Sequence, residues 1–353
     1  MKLAIEVGGV RPDNLELTAQ WVQHAERLGV AMAFSAEAWW SDAVTPLAYL
    51  ADKTHSIILG TGIMQITART PAMTAMTALT LHDLTGGRFA LGLGVSGPQV
   101  VEGLHGVRYN PALSRLRETV DICRQVFSGE RVQYDGRVYQ LPLPDSEGKA
   151  IKIAHNPTDI PIYLATLGPN SLRYTGEAAN GWLGTSFSPD QPQAHLDFIR
   201  EGAAKTGRDI TDIDLCVSAR IEIGTDVDQM IAKRKPAVAF NMGGMGSADT
   251  NFYNDAFKRA GFEDDARAVQ ALWLEGKRDE AAARVPDSMV TGFQVLGTRE
   301  MVRDRLRDYQ NAGVITLKLG LDGAGPLGPA RFELLEEIVD IVGELDQCKS
   351  AEC

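Results

Sequence analysis

The chain has 353 residues, 44% hydrophobic and 23% charged, with 46 acidic against 35 basic residues and a formal net charge of −11. That balance sets aside nucleic acid and anionic membrane surfaces as partners, because both need a basic face. The length allows a large core, either as one β/α barrel or as two domains.

The chain starts as MKLAIEVGG, which enters a strand at once, and it has no run of about 18 uninterrupted apolar residues. A signal peptide and a membrane span are therefore not expected, and the expected location is the cytoplasm. Cys123, Cys216, Cys348 and Cys353 form no CxxC pair. They read as reduced, incidental thiols, and no metal site is expected.

In chain order, Leu3 to Val7 is a first strand, with Gly8-Gly9 leaving room at its end. Asn14 to Leu28 is an amphipathic helix closed by Gly29. The second strand, Val30 to Phe34, ends at Ser35-Ala36-Glu37-Ala38-Trp39-Trp40. Thr45-Pro46 opens a helix to about His55. Ile57 to Met64 is nearly continuous apolar sequence, as in a strand buried on both faces of a parallel sheet. Thr70-Pro71 opens the next helix with a hydroxyl at N-cap and proline at N1, and Gly86-Gly87 stops it. Phe89 to Leu93 is a fourth buried strand. It runs into the loop Gly92-Leu93-Gly94-Val95-Ser96-Gly97, so glycines lie where β/α folds bind ligands.

A helix from about Ser114 to Phe127 follows. Then comes Arg131 to Leu141, where Asp135-Gly136 between alternating apolar residues signals a hairpin. Further strands are expected at Ile160 to Ala165, Gly181 to Thr185, Ile213 to Ile223 and Val314 to Leu319. Helices are expected from Gly168-Pro169-Asn170, from about Gln191 to Thr206, and from Arg331 to Leu345. Eight strands alternating with helices predict an α/β fold, a (β/α)8 TIM barrel, as one domain over 1–353. Insertions are expected near 131–159 and 226–298, with Gly243-Gly244-Met245-Gly246 as a hinge.

Gly92-x-Gly94-x-x-Gly97 is formally the dinucleotide pattern, but it follows a fourth strand rather than a first, and no acidic residue closes a strand about 20 positions on. Rossmann-type NAD binding is therefore the weakest reading. Bare amides at Val95, Ser96 and Gly97, with the Ser96 hydroxyl, suit a phosphate instead; the alternative is that the glycines only allow a sharp turn. Glu37 is the one carboxylate read at the carboxyl end of an inner strand. Beside Trp39 and Trp40 it could hold or take a proton, or it could be a solvated residue or the partner of an arginine. Gln65 and His105 lie near the same mouth. Lys233-Arg234-Lys235 reads more simply as a solvated face than as a phosphate clamp.

The stretch ILGTGIMQITARTPAMTAMTALTLHDLTGGRFALGLGVSGPQVVEGLHG resembles the luciferase-like monooxygenase superfamily, in particular its coenzyme F420-dependent oxidoreductases. The similarity continues through VQYDGRVYQL, IPIYLATLGPNSLRYTGEAANGWL and NMGGMGSADTNFYNDAFKRAGF. It implies a deazaflavin bound at the carboxyl mouth of the barrel and hydride transfer between its C5 and a small organic substrate. It also implies a homodimer, for which the apolar face Leu334, Leu335, Ile338, Val339 and Val342 is one candidate interface. Relatives carry a non-proline cis peptide at the end of the third strand, where Gly62-Ile63 falls.

Val95, Ser96, Gly97, Leu167 and Gly168 match the segments that hold the cofactor, with Gln65 beside them. Glu37 and Trp40 are the candidate catalytic residues. Glu37 stands where the sugar-phosphate-oxidising relatives have a histidine, and Gly97 where they have a glutamate. A substrate-binding lysine of those relatives aligns near Ser188, so the resemblance does not extend to sugar phosphates. FMN-dependent monooxygenase chemistry and a non-catalytic flavin-binding barrel are the alternatives.

Overall fold

The computed structural model describes residues 1–37 and 40–351, so Trp39 and Cys353 lie outside the described residues. Eight parallel strands form the barrel: β1 (Lys2–Glu6), β2 (Met32–Ser35), β3 (Ile58–Thr61), β4 (Phe89–Gly94), β5 (Ile162–Ala165), β6 (Gly181–Gly184), β7 (Asp214–Ile223) and β8 (Thr316–Gly320). They pair in sequence order around the ring. β8 returns to β1 with Lys2 opposite Thr316 and Ala4 opposite Lys318, and β7 bridges β6 and β8.

Alternation along each strand separates two cores. Outward residues such as Leu3, Ile5, Leu59, Leu91 and Leu317 pack under the helices. Inward residues Ala4, Met32, Phe34, Ala90, Tyr163, Leu183 and Cys216 fill the lumen. At the amino end of the barrel the Tyr163 hydroxyl and the Thr316 hydroxyl both donate to Asp214 Oδ2, at 2.9 and 3.0 Å. That polar knot closes the floor, so the mouth is the open end.

The third strand departs from an uninterrupted run. β3 stops at Thr61, the peptide Gly62–Ile63 is cis, and pairing resumes at Met64–Gln65 against Leu93 and Gly94. The Thr61 side chain fills the gap in the ladder by accepting from the Gly92 N–H and donating to the Gly92 carbonyl, both at 2.8 Å. A Cβ at Gly92 would lie 1.8 Å from the Thr61 carbonyl oxygen, so only glycine fits there. The glycine pattern is thus partly a requirement of strand packing.

Elements not read in advance include a short helix Pro98–Gly103 directly after the glycine loop, a strand Val295–Gly297 that extends pairing at the far end of β7, and the helix Arg299–Asn311 that follows it. The hairpin forms between Tyr134–Asp135 and Gln140–Leu141. The buried Glu118 carboxylate holds its turn by accepting the amides of Arg137, Val138 and Tyr139 at 2.8–3.1 Å. The region 226–298 is helical and has its own hydrophobic cluster, including Val238, Met242, Phe257, Val269, Met289 and Phe293. The glycines expected to form a hinge there end the helix Val227–Gly243 instead, and a Cβ at Gly243 would lie 2.2 Å from Trp273. Close packing, not freedom, is what glycine provides at that point.

The closing helix, Pro329–Ala351, corrects the expected interface. Leu334, Leu335, Ile338 and Val342 are buried within this chain, and Val339 packs against the same core. Phe332 sits on Trp21 and His24 of the first helix, with ring centres 5.3 and 4.9 Å apart. The apolar face is wide because it seals one side of its own barrel. Among the described residues the exposed large apolar side chains include Met73, Met76 and Leu84, which share one face of the helix Pro71–Leu84.

Candidate active site

At the mouth, β2, the Met64–Gln65 extension and the loops after β4 and β5 meet. Phe34 lies under Gly60 and Gly62, where a Cβ would come within 2.7 and 2.9 Å of its ring or stem. The Ile63 side chain then lies over Gly94, 3.0 Å from where a Cβ would be. Gly62, Gly92 and Gly94 let Phe34, the Thr61 carbonyl and Ile63 pack directly against the backbone, with Ile63 as the shelf. Gly62 is anchored by its amide to the Ser35 carbonyl at 2.7 Å.

The phosphate-loop residues are adjacent. Ser96 has φ of 57°, a left-handed conformation uncommon for a residue with a side chain. Among the described residues the Ser96 and Gly97 amides meet no protein acceptor, and Pro98 follows at the first position of the short helix. Leu167 and Gly168 form the turn into the helix Pro169–Ala178, where Gly168 is an N-cap without a capping side chain. The helical insertion holds this turn from behind: Arg259 donates through Nη2 to the Leu167 carbonyl at 2.7 Å and through Nε to the Ala194 carbonyl at 3.4 Å.

Glu37 is 7% exposed and forms an ion pair with Arg69. Its other oxygen accepts the Gln65 amide at 2.9 Å, and its own N–H donates to the Ile63 carbonyl at 2.9 Å. The Gln65 side chain donates to the Glu37 carbonyl at 3.4 Å and accepts from His105 Nε2 at 3.1 Å. Of the readings left open for Glu37, the structure shows the arginine partner. Trp40 is exposed, and its indole lies over Gly9 in the loop after β1. Glu37, Gly62, Ile63, Gln65, Val95, Ser96 and Gly97 come together, with Leu167 and Gly168 on the next strand's loop.

The sequence reading missed three charged residues here. Arg69 lies in the loop after the Met64–Gln65 extension. It also helps lower the Asp42 carboxyl: burial opposes that shift, but the Thr45 and Val44 donors and Arg69 outweigh it. Glu6 and Lys318 were the other omissions. Glu37 is not the only strand-end carboxylate, since Glu6 ends β1 and meets Lys318 Nζ at 3.0 Å. Burial works against the Lys318 charge, but Glu6 chiefly, with Cys216 and Tyr253, holds the ammonium above the usual lysine range. A lysine inside the otherwise apolar strand VITLKL was the available signal. No group of three or more metal-ligating side chains occurs among the described residues.

Comparison with known proteins agrees with this architecture. The pattern of the luciferase-like monooxygenase family matches residues 4–316. A protein named as a coenzyme F420-dependent oxidoreductase from Mycobacterium tuberculosis (strain ATCC 25618 / H37Rv) is 41% identical over 325 residues, covering 89% of this chain and 93% of that protein. A 5,10-methylenetetrahydromethanopterin reductase from Archaeoglobus fulgidus is 29% identical, over 83% of this chain and 84% of its own length. The solved coenzyme F420-dependent tetrahydromethanopterin reductase of Methanopyrus kandleri superposes with a TM-score of 0.76 at 26% identity, covering 96% of this chain and 97% of that one. With this match over most of its length, the chain belongs to the luciferase-like monooxygenase family.

Proposed function

We propose that the protein is a coenzyme F420-dependent oxidoreductase acting on a small organic substrate. The observation that carries this reading is the pair of bare amides of Ser96 and Gly97 at the barrel mouth, beside the Ile63 shelf that packs on Gly94. Such amides suit a phosphate, and the relatives named above for coenzyme F420 support the cofactor. When bound, coenzyme F420 supplies hydride chemistry at its deazaflavin C5.

The chain's own residues have separable tasks in this reading. Val95, Ser96 and Gly97 hold the phosphate, with the Leu167–Gly168 turn alongside. Ile63 and Gly62 back the ring, and Gln65 ties that shelf to His105. Glu37, fixed by Arg69 and the Gln65 amide, takes the substrate's hydroxyl proton in the oxidising direction, while Trp40 covers the entrance. The chain works as one barrel domain, its insertions shaping the rim, and it pairs as a cytoplasmic homodimer through the exposed Met73, Met76 and Leu84 face.

Titrating the protein with F420 and with FMN, followed by cofactor fluorescence, tests the proposal. F420 should bind the more tightly, and Ser96→Asp should weaken it by at least tenfold by setting a carboxylate against the phosphate. Tighter FMN binding, or an unchanged F420 affinity in Ser96→Asp, would overturn the cofactor or the loop assignment respectively.

A further inference from the structure

Lys318 lies in the wall of the barrel lumen. It is the middle residue of β8, in register with Ala4 on one side and Ser218 on the other, and both neighbours' strands supply lumen residues. Its side chain is 14% exposed, and among the described residues its only ion-pair partner is Glu6, which is 57% exposed at the rim. An ammonium has three donors, so at least two remain for something else. Tyr253, brought over this sector by the helical insertion, is close enough for its hydroxyl and the Lys318 ammonium to influence each other. The β8–β1 sector stands across the mouth from the Ser96 loop and the Leu167–Gly168 turn, on the side left for substrate.

The geometry points to Lys318 as the residue that binds a carbonyl or carboxylate oxygen of the substrate, with Glu6 as its counter-charge at the rim. A desolvated ammonium aimed at an oxygen that gains negative charge during hydride transfer would stabilise that charge more than water does. Because Glu6 balances Lys318, the site also accepts a neutral carbonyl compound. This inference rests on the barrel mouth being the active site, and it narrows the substrate to compounds carrying such an oxygen near the reacting carbon.

The pair makes opposite predictions for its two members, which a merely structural ion pair would not. Protein loaded with oxidised F420 is titrated with benzoate and with acetophenone by calorimetry, and F420 affinity is measured first by fluorescence. Lys318→Met should weaken the probe that binds wild type by tenfold or more while leaving F420 affinity within about twofold, and Lys318→Arg should restore much of the loss. Glu6→Gln should bind benzoate more tightly, since it removes the negative charge at the rim, and leave acetophenone nearly unchanged. Glu6 is solvated at the rim, so Lys318→Met strands no buried charge, and a matching melting temperature confirms that it folds. Benzoate binding alone identifies a carboxylate, and acetophenone binding alone a carbonyl. Failure of wild type to bind either probe, equal binding by Lys318→Met, or weakening by both Lys318→Met and Glu6→Gln would overturn the assignment. Failure to bind F420 at all would instead overturn the proposed cofactor. The same probe titrations on FMN-loaded protein would still decide Lys318.

Discussion

Glu37 shows how much of a residue's role is set by partners that sequence order hides. A carboxylate held by Arg69 and a backbone amide is presented in one orientation, which suits a proton acceptor. Glu37→Gln keeps the shape and should leave F420 affinity near wild type while lowering the single-turnover rate by roughly 100-fold, the scale of a lost acid–base group. An unchanged single-turnover rate would leave Glu37 as scaffolding for Ile63 and Gln65. His195 behaves oppositely, as a buried ring packed on Trp182 and Phe187 with no hydrogen-bond partner for its nitrogens among the described residues. It is 1% exposed. Burial first, and the Arg259 charge second, push its pKa down to about 3. The unfolded chain therefore binds a proton at this position at a higher pH than the folded chain does. His195 consequently weakens the fold as pH falls from about 6.5 towards 3, by at most about 1.4 kcal/mol per pH unit. Melting temperature should fall more steeply with acid in wild type than in His195→Phe. Parallel pH profiles would show that the histidine is charged inside.

At the scale of elements, the barrel strands were legible because strands buried on both faces are nearly continuous apolar runs, and helices were legible from their caps. The helix Pro98–Gly103 was hidden because six residues hold too little periodicity, and Val295–Gly297 because three hold none. The barrel mouth was half legible. The glycines and Gln65 on the proposed cofactor side stand in one stretch of sequence, but Lys318 and Glu6 on the opposite side come from opposite ends of the chain, and only closure of the ring joins them. The junction of β3 and β4 carries its own test. Gly92→Ala places a methyl against the Thr61 carbonyl and should cost about 2 kcal/mol or more, at the upper end of overpacking effects. Urea unfolding measures it. An unchanged midpoint would mean that β3 can move aside.

At the scale of the whole molecule, the Met73, Met76 and Leu84 face remains exposed after the closing helix has buried its own apolar residues. Light scattering should find a dimer in wild type and a monomer for Met76→Glu. A monomeric wild type at micromolar concentration would exclude pairing there. The insertion also has a core apart from those of the barrel, joined to the barrel in part by the Arg259 bond to the Leu167 carbonyl. Separate cores can open at different free energies. If the insertion loosens first, the turn it props up loses its support while every barrel strand is still paired. Warming would then disarm the protein before melting it. F420 release should precede loss of far-ultraviolet circular dichroism by several degrees, and Arg259→Met should widen that interval. Coincident curves in both proteins would mean that insertion and barrel yield together.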